Sequence, residues 1–428
     1  PRGTLGRCLK GSEINIQWHK DKNGFPYRNR KKAFSESGGC GIIQVATIGG
    51  GKTLTIHYSA PCLFGLESVL AGEIRRMGGE EVTVLDGRVD FSGGPELLAR
   101  GNLWLRTAER LFVKLGEFPA RSFEELFQGV KGLPLEDWIG RQDAFPVKGH
   151  CVRSALHSVP DCQKIVKKAA VERLKEKYGV SWFEETGPIH QLRFTIIKDK
   201  AAIFLDTSGE GLHKRGYRRE SGGAPIKETL AAGMLDLAFV KADTLLVDPF
   251  CGSGTILIEG ALRALGIAPG LKRRFAAEQW RSVPEAAWRE ERARAVELSG
   301  QRRDAKFRAV GYDIDPEMVS LALGNARKAG IENRLLVSRQ DIRRFQPPEG
   351  AVIVTNPPYG ERLLDKEAAA AITGTMGKVF TKGKAGYYII SPDEAFETHF
   401  GRRANKRRKL YNGMLRCELY SFFPPRKP

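Results

Sequence analysis

Short apolar runs in the C-terminal half of the chain end in polar residues and are separated by helix-like stretches. Four of these runs are predicted strands, at residues 244–247, 308–312, 334–338 and 351–355. After the first strand, a glycine-containing loop leads into residues 256–265, whose apolar spacing predicts a helix. Strands that alternate with helices are typical of an α/β fold with a parallel sheet.

Shorter segments in the N-terminal half predict two small α+β units. The first unit is predicted to contain one helix and three strands, at residues 62–77, 54–58, 82–85 and 88–91. The second is predicted to contain one helix and three strands, at residues 164–178, 145–154, 191–197 and 200–206. Residues 1–52 show little periodicity and contain ten Lys or Arg against three Asp or Glu, so we expect a poorly ordered basic extension there.

An Asn-Pro-Pro-Tyr sequence, formed by Asn356, Pro357, Pro358 and Tyr359, follows the predicted strand 351–355. The prolines restrict the backbone and lack N–H donors, Asn356 adds an amide oxygen, and Tyr359 adds a flat aromatic face. An exocyclic amino group can donate its two hydrogens to the Asn356 side chain and the Pro357 carbonyl while its base stacks on Tyr359. Taken alone, the tetrapeptide is equally compatible with an ordinary turn.

The loop after the first predicted strand reads Asp-Pro-Phe-Cys-Gly-Ser-Gly. Gly252 and Gly254 permit a tight turn and the close approach of a ligand, and Asp248 at the strand end can anchor a polar group. The full dinucleotide fingerprint is absent, because its third glycine would fall at Leu257. A nicotinamide or flavin cofactor at this loop is therefore disfavoured.

Acidic residues follow the next two predicted strands. We assign Asp313 to the ribose hydroxyls of a nucleoside cofactor, since an acidic residue at the end of a second strand suits that contact. Asp315 precedes Pro316 and fits a helix N-cap instead. Asp341 can accept the amino group of an adenine, and an ordinary aspartate in an exposed loop is the alternative.

The motifs DPFCGSG, GYDIDP, SRQDI and TNPPYGERL occur in this order in the chain. The ordered set resembles the S-adenosylmethionine-dependent amino-methyltransferases. More narrowly, from about residue 53 to 423, the chain resembles bacterial large-subunit ribosomal RNA guanine-N2 methyltransferases of the RlmL type, including forms with a single methyltransferase domain.

This resemblance implies a Rossmann-like class I methyltransferase domain at residues 209–428. It also implies a ferredoxin-like domain at 53–118 and a THUMP domain, a module associated with folded RNA, at 119–208. S-adenosylmethionine is the implied cofactor, with contacts from Asp248, Phe250, Gly252, Gly254, Asp313 and Asp341. Lys227 and Thr229 are placed beside the methionine end of the cofactor, although a surface salt bridge and an ordinary first helical turn explain them equally well.

The formal net charge of +19 favours a polyanionic partner, without separating RNA from DNA or an acidic membrane. A basic cluster near the C-terminus predicts contact with RNA through Arg407, Arg408, Lys409 and Asn412. The predicted helix 164–178 adds three candidates, Lys164, Lys167 and Lys168. A solvated charged surface is the alternative for both groups.

Seven scattered cysteines without a C-x-x-C pair predict neither a disulfide framework nor a zinc site, and they suit a reducing compartment. The chain shows no apolar run of transmembrane length and no leader pattern. We therefore expect a cytoplasmic protein that needs no metal and binds no membrane.

The predicted reaction is methyl transfer to the exocyclic N2 of a guanine in large-subunit (23S) ribosomal RNA. A tRNA guanine-N2 methyltransferase is an open alternative, because it shares the THUMP domain and the Asn-Pro-Pro-Tyr motif and differs only in the surface that recognises the target. DNA adenine-N6 and protein glutamine-N5 methyltransferases also use an Asn-Pro-Pro-Tyr pocket, although the basic N-terminal units disfavour the glutamine substrate. An RNA-binding assembly factor with incidental methylation is a further alternative.

Overall fold

The computed structural model describes residues 19–20, 26–27, 55–218, 226–359, 366–380 and 385–423. The chain divides into two compact units, Pro1–Gly41 and Ile42–Pro428. In the first unit, strands β1 (His19–Lys20) and β2 (Pro26–Tyr27) pair antiparallel. Apart from these four residues, the extension predicted at 1–52 lies outside the described residues.

The N-terminal module of the second unit, residues 55–206, contains a sheet of seven strands within the described part of the chain. Its strands are β3 (Ile56–Pro61), β4 (Glu80–Leu85), β5 (Arg88–Gly93), β6 (Phe112–Pro119), β7 (Val147–Val152), β8 (Leu192–Ile197) and β9 (Lys200–Asp206). Its helices are α1 (Glu67–Arg76), α2 (Glu96–Trp104), α3 (Phe123–Lys131) and α4 (Val159–Tyr178). The strand order is β4-β5-β3-β6-β9-β8-β7, so one sheet runs through both predicted α+β units.

Two predicted helices in this module differ from the structure at their starts. Helix α1 begins at Glu67 rather than at residue 62, because Gly65 adopts a φ of 91° and belongs to the preceding loop. Helix α4 begins at Val159, since Pro160 suits a first helical turn. Helix α2 was not predicted, and residues around most of its circumference are buried, which hides the one-sided apolar pattern of a surface helix.

The C-terminal module, residues 226–423, contains a second sheet of seven strands among its described residues. Its strands are β10 (Leu245–Asp248), β11 (Arg308–Asp313), β12 (Leu335–Arg339), β13 (Val352–Thr355), β14 (Gly386–Ser391), β15 (Lys406–Asn412) and β16 (Leu415–Phe422). Its helices are α5 (Glu228–Leu237), α6 (Thr255–Ala264), α7 (Glu285–Gln301), α8 (Pro316–Ala329), α9 (Lys366–Phe380) and α10 (Phe396–Phe400). The bounds of the predicted strands in this module, and of the helix predicted at 256–265, are confirmed to within one residue at each end.

The order of this second sheet is β12-β11-β10-β13-β14-β16-β15. Strand β16 is antiparallel to both of its neighbours, and the other pairs are parallel. The chain order reverses between β10 and β13, and ligands of open α/β sheets bind at the carboxyl ends of the strands at such a point. The predicted α/β architecture is confirmed, and it places the glycine loop and the Asn-Pro-Pro-Tyr sequence at this edge.

Buried polar contacts join the two modules. The Arg106 guanidinium is largely buried and donates to two carbonyls near the end of α6. The Leu262 carbonyl, in the last turn of the helix, accepts at 3.2 Å, and the Ile267 carbonyl, just after the helix, accepts at 2.7 Å. On another side, Arg100 of α2 donates to Glu291 of α7 at 2.7 Å. These contacts hold the N-terminal module in a defined position beside the carboxyl-terminal sheet.

Candidate active site

The glycine loop between β10 and α6 adopts the backbone conformation that its two glycines permit. Gly252 has a φ of 48° and Gly254 a φ of 80°, in the left-handed region that favours glycine. A Cβ atom at Gly252 would point into open space, so the loop leaves room for a ligand beside it. The loop is also tied to its base, since the Phe250 N–H donates to the Asp248 carboxylate at 3.1 Å.

Asp248 joins the ends of β10 and β13. Its carboxylate is 1% exposed and accepts a 2.6 Å hydrogen bond from the hydroxyl of Thr355, the last residue of β13. Burial raises the pKa of Asp248 to about 7; the hydrogen bonds from Thr355 and Phe250 oppose the rise, and the nearby Asp313 adds to it. The structure therefore places Asp248 under the glycine loop as a support. Sequence reasoning missed Thr355 as its partner.

Asp313 at the end of β11 is brought to the same loop. Its Oδ2 accepts the Gly252 N–H at 2.9 Å, and its Oδ1 accepts the Asp315 N–H at 3.0 Å. Each carboxylate oxygen has a second lone pair, so both remain able to accept a hydroxyl. The capping prediction for Asp315 is confirmed, because its side chain accepts the Glu317 N–H at 2.8 Å at the start of α8.

Asp341 follows β12 and has a local partner. It accepts hydrogen bonds from the backbone and side chain of Arg343, with a closest approach of 2.5 Å. The side-chain hydrogen bonds from Arg343 are the main cause that lowers the pKa of Asp341 to about 2. The carboxylate is thus charged at neutral pH and held at the carboxyl edge. Its contact with an adenine stays a prediction.

The Asn-Pro-Pro-Tyr sequence continues from β13 at the same edge. Among the described residues, the Oδ1 atom of Asn356 is buried and has no hydrogen-bond partner. Pro357 is buried, and Pro358 and Tyr359 are half-buried. A buried acceptor without a partner costs free energy, and a ligand N–H removes that cost. Asn356 therefore fits an amino group that enters the pocket.

Tyr359 is hydrogen-bonded to the end of β15, the strand at one edge of the sheet. The Asn412 side-chain amide, at the end of β15, donates to the Tyr359 hydroxyl at 2.7 Å, and Asn412 is largely buried. The sequence predicted Asn412 as an RNA contact, and the structure places its amide against the hydroxyl of Tyr359. The pair is 53 residues apart in the chain, and no local pattern indicates it.

Lys227 and Thr229 contact the N-terminal module. The Lys227 ammonium donates to Glu109 Oε2 at 3.0 Å, and the Thr229 hydroxyl donates to Glu109 Oε1 at 2.5 Å. Burial alone would raise the pKa of Glu109, but the His213 ring 3.5 Å away, the hydrogen bond from Thr229 and the charge of Lys227 lower it to about 2. Both side chains are therefore hydrogen-bonded to Glu109, and their contact with the cofactor stays a prediction.

The predicted RNA-binding residues of β15 differ in their surroundings. Arg407 pairs with Glu397. The Arg408 guanidinium donates to the Gly65 carbonyl at 2.8 Å and to the Ser68 hydroxyl at 2.6 Å, so it joins the two modules. Lys409 is exposed.

On helix α4, Lys164 is exposed beside Asp161, and Lys167 pairs with Glu185. Lys168 is exposed, with its ammonium 5.7 Å from the centroid of the Phe127 ring. Lys409, Lys164 and Lys168 are therefore the predicted lysines most available to a polyanion.

Among the described residues, no group of three or more His, Cys, Asp or Glu side chains could hold a metal ion. In the same residues, no helix has both the length and the apolar composition needed to cross a membrane.

Comparison with known proteins gives three family matches. The RlmL ferredoxin-like domain matches residues 57–112, the THUMP domain matches 120–206, and the RMKL-like methyltransferase domain matches 215–421. YpsC of Bacillus subtilis (strain 168), described provisionally as an RNA methyltransferase, is 42% identical over 381 residues, which cover 88% of this chain and 98% of YpsC.

A second relative is the ribosomal RNA large subunit methyltransferase K/L of Psychromonas ingrahamii, which is 32% identical over 388 residues. The match covers 87% of this chain, and the chain spans about half of that relative, 51%. Among solved structures, SMU.472, described provisionally as a methyltransferase and complexed with S-adenosylhomocysteine, has a TM-score of 0.83 and 41% identity. That match covers 87% of this chain and 99% of SMU.472.

Proposed function

The chain belongs to the RlmL-type family of THUMP-containing methyltransferases, and on that premise we propose that it transfers a methyl group from S-adenosylmethionine to the exocyclic N2 of a guanine in large-subunit ribosomal RNA. The THUMP match and the names of the relatives support RNA as the substrate. Support for the chemistry comes chiefly from one observation, the buried Oδ1 of Asn356 at the carboxyl edge, which has no hydrogen-bond partner among the residues that the structure describes.

The residues around the glycine loop fit S-adenosylmethionine. The loop has open space above Gly252, and Asp313 lies directly beside it with acceptor capacity for ribose hydroxyls. Phe250 and Gly254 are the other proposed cofactor contacts of this loop. Asp341, which follows β12, is proposed to accept the adenine amino group. When bound, the cofactor supplies a methyl carbon made electrophilic by a sulfonium.

The protein mainly has to position the amine. In the proposed complex, Asn356 Oδ1 and the Pro357 carbonyl accept the two N2 hydrogens, which turns the nitrogen lone pair toward the methyl carbon. These oxygens also stabilise the positive charge that develops on the nitrogen. Tyr359, held by Asn412, stacks on the flipped guanine. One C–S bond breaks, one N–C bond forms, and the nitrogen releases one proton to solvent.

Asn356→Ala tests this assignment. We expect methyl transfer to slow by about 100-fold or more, because it removes an oriented acceptor at the reacting group. Binding of S-adenosylmethionine, measured by calorimetry, should stay near the wild-type value. An equal loss of cofactor binding and turnover would contradict the role of Asn356 as a contact of the target amine.

The substrate is tested with labelled S-adenosylmethionine and RNA from cells that lack the enzyme, followed by nucleoside analysis. The expected product is N2-methylguanosine in protein-free large-subunit ribosomal RNA. The same nucleoside in tRNA alone would move the assignment to a tRNA guanine-N2 methyltransferase. Label in N6-methyladenosine would contradict the guanine assignment while keeping the amino-methyl transfer.

A further inference from the structure

The hairpin formed by β15 and β16 reaches the edge of the sheet where the target base enters. Strand β15 runs in the same direction as β13, because β16 is antiparallel to both β14 and β15. Its last residues, Tyr411 and Asn412, therefore lie at the carboxyl edge. The 2.7 Å hydrogen bond from Asn412 to Tyr359 places Asn412 beside the proposed base pocket, and Tyr411 is its neighbour in the chain.

A loop of the N-terminal module, residues 62–66, packs against the same strand. A Cβ atom at Gly65 would lie 2.1 Å from the Lys409 carbonyl oxygen, so the two backbones are in close contact. Arg408 reinforces the contact by donating to the Gly65 carbonyl at 2.8 Å. As a result, the Phe64 ring stands edge-on to the Tyr411 ring, with centroids 5.9 Å apart and an angle of 63°.

Phe64 lies at the surface of this contact. It is 54% exposed, whereas Leu66, two residues further on, is completely buried and belongs to the core beside β15. The exposed Lys409 holds its ammonium 5.4 Å from the centroid of the Tyr411 ring. The exposed Phe64 ring and the Lys409 ammonium thus both lie against the half-buried Tyr411 ring, which precedes Asn412 at the proposed base pocket. Single-stranded nucleic acid binds to this combination, with bases stacking on rings and phosphates attracted by the cation.

We propose that Phe64, Tyr411 and Lys409 form a stacking platform for the unpaired nucleotides that flank the flipped guanine. The proposal rests on the proposed function, because base flipping leaves the neighbouring bases with exposed faces. The net charge of +19 on the whole chain favours a polyanionic partner such as RNA, and the exposed Lys409 brings a positive charge to this surface. The N-terminal module would then contribute a residue to target recognition at the active site itself, separately from its THUMP segment.

The test compares Phe64→Leu and Tyr411→Leu with Phe64→Trp, which keeps an aromatic face. The matched control is Phe239→Leu, because Phe239 is 69% exposed and lies on the loop that enters β10 from the opposite edge of the sheet. The substrate is whichever RNA the wild-type enzyme methylates, large-subunit ribosomal RNA or tRNA. The measurements are KM for RNA, kcat, affinity for S-adenosylmethionine and the melting temperature.

Loss of one stacked base should raise KM for RNA by about 5- to 150-fold in Phe64→Leu and in Tyr411→Leu. The maximal rate and the cofactor affinity should stay at wild-type values, and Phe64→Trp should restore KM. Lys409→Ala should lower the slope of log affinity against log salt concentration by about 1, whereas Phe64→Leu should leave that slope unchanged.

The outcomes separate the platform from the enzyme's activity. If the wild type methylates RNA and Phe64→Leu behaves like Phe239→Leu, the platform is wrong while the proposed function stands. Phe64→Leu and Tyr411→Leu could both show a lower melting temperature and a lower cofactor affinity, with no recovery of KM in Phe64→Trp. In that case the rings only pack the modules together, and the platform proposal is wrong. If the wild type methylates neither RNA, the proposed function and the platform fail together.

Discussion

Replacing Asp248 with asparagine should change how the stability of the protein depends on pH. The wild-type carboxylate is 1% exposed, and burial raises its pKa from 3.8 to about 7. Asparagine has the same shape and keeps an oxygen for the Thr355 hydroxyl and the Phe250 N–H, but it cannot ionise. The substitution therefore isolates the cost of a buried charge from the loss of hydrogen bonds.

The sign follows from proton linkage. Between the unfolded pKa near 4 and the folded pKa of about 7, the native state holds this proton more tightly than the unfolded chain. The contribution to stability is therefore fully present below the unfolded pKa and is lost as pH rises through the folded pKa. At about 1.4 kcal/mol per pKa unit, the wild type should lose roughly 2 to 3 kcal/mol between pH 5 and pH 8 from this group.

The assay is urea unfolding of the wild type and Asp248→Asn at pH 5, 6, 7 and 8. The free energy of unfolding of the variant, relative to the wild type, should rise with pH by roughly 2 to 3 kcal/mol across this range. Asp304→Asn, at an exposed aspartate, controls for the change in net charge. Parallel pH curves for wild type and Asp248→Asn would refute the argument that burial keeps Asp248 protonated near neutrality.

Three further substitutions test the site and its support. Asn412→Ala removes the hydrogen bond to Tyr359 and should slow methyl transfer by about 2- to 10-fold in steady-state kinetics; unchanged kinetics would contradict a positioning role. Asp313→Ala should raise the dissociation constant for S-adenosylmethionine at least about tenfold in calorimetry, and an unchanged affinity would count against the ribose assignment. Gly377→Ala would place a Cβ 1.9 Å from the Phe400 carbonyl and should lower the free energy of unfolding by about 1 to 3 kcal/mol; a similar loss in Gly374→Ala, whose Cβ would make an ordinary 3.4 Å contact with the His399 carbonyl, would contradict this cause.

Features that depend on neighbouring residues could be predicted from the sequence. The strands around the proposed cofactor site are confirmed to within one residue, because short apolar runs ending in polar residues are a local signal. The assignment of Asp315 to a helix N-cap rests on the adjacent proline and is likewise confirmed. Asp248 and Asn356 each follow a predicted strand, and the parallel arrangement of these strands brings both to one edge of the sheet.

Contacts between distant residues were decided by the tertiary structure alone. Thr229 bonds Glu109 across 120 residues, and Arg408 bonds Gly65 across 343 residues. A residue's type shows that it can form a hydrogen bond, but the partner depends on which elements the fold brings together.

For the same reason, residues of one basic cluster have different environments. Arg407 is bound to Glu397, Arg408 joins the modules, and Asn412 supports Tyr359. Lys409 lies exposed beside Tyr411. The sequence by itself determined the elements, the motif residues and the charge, because these are properties of short segments and composition. Only the tertiary packing, within the C-terminal module and between the two modules, decided which polar side chains have partners inside the protein and which remain accessible at the surface.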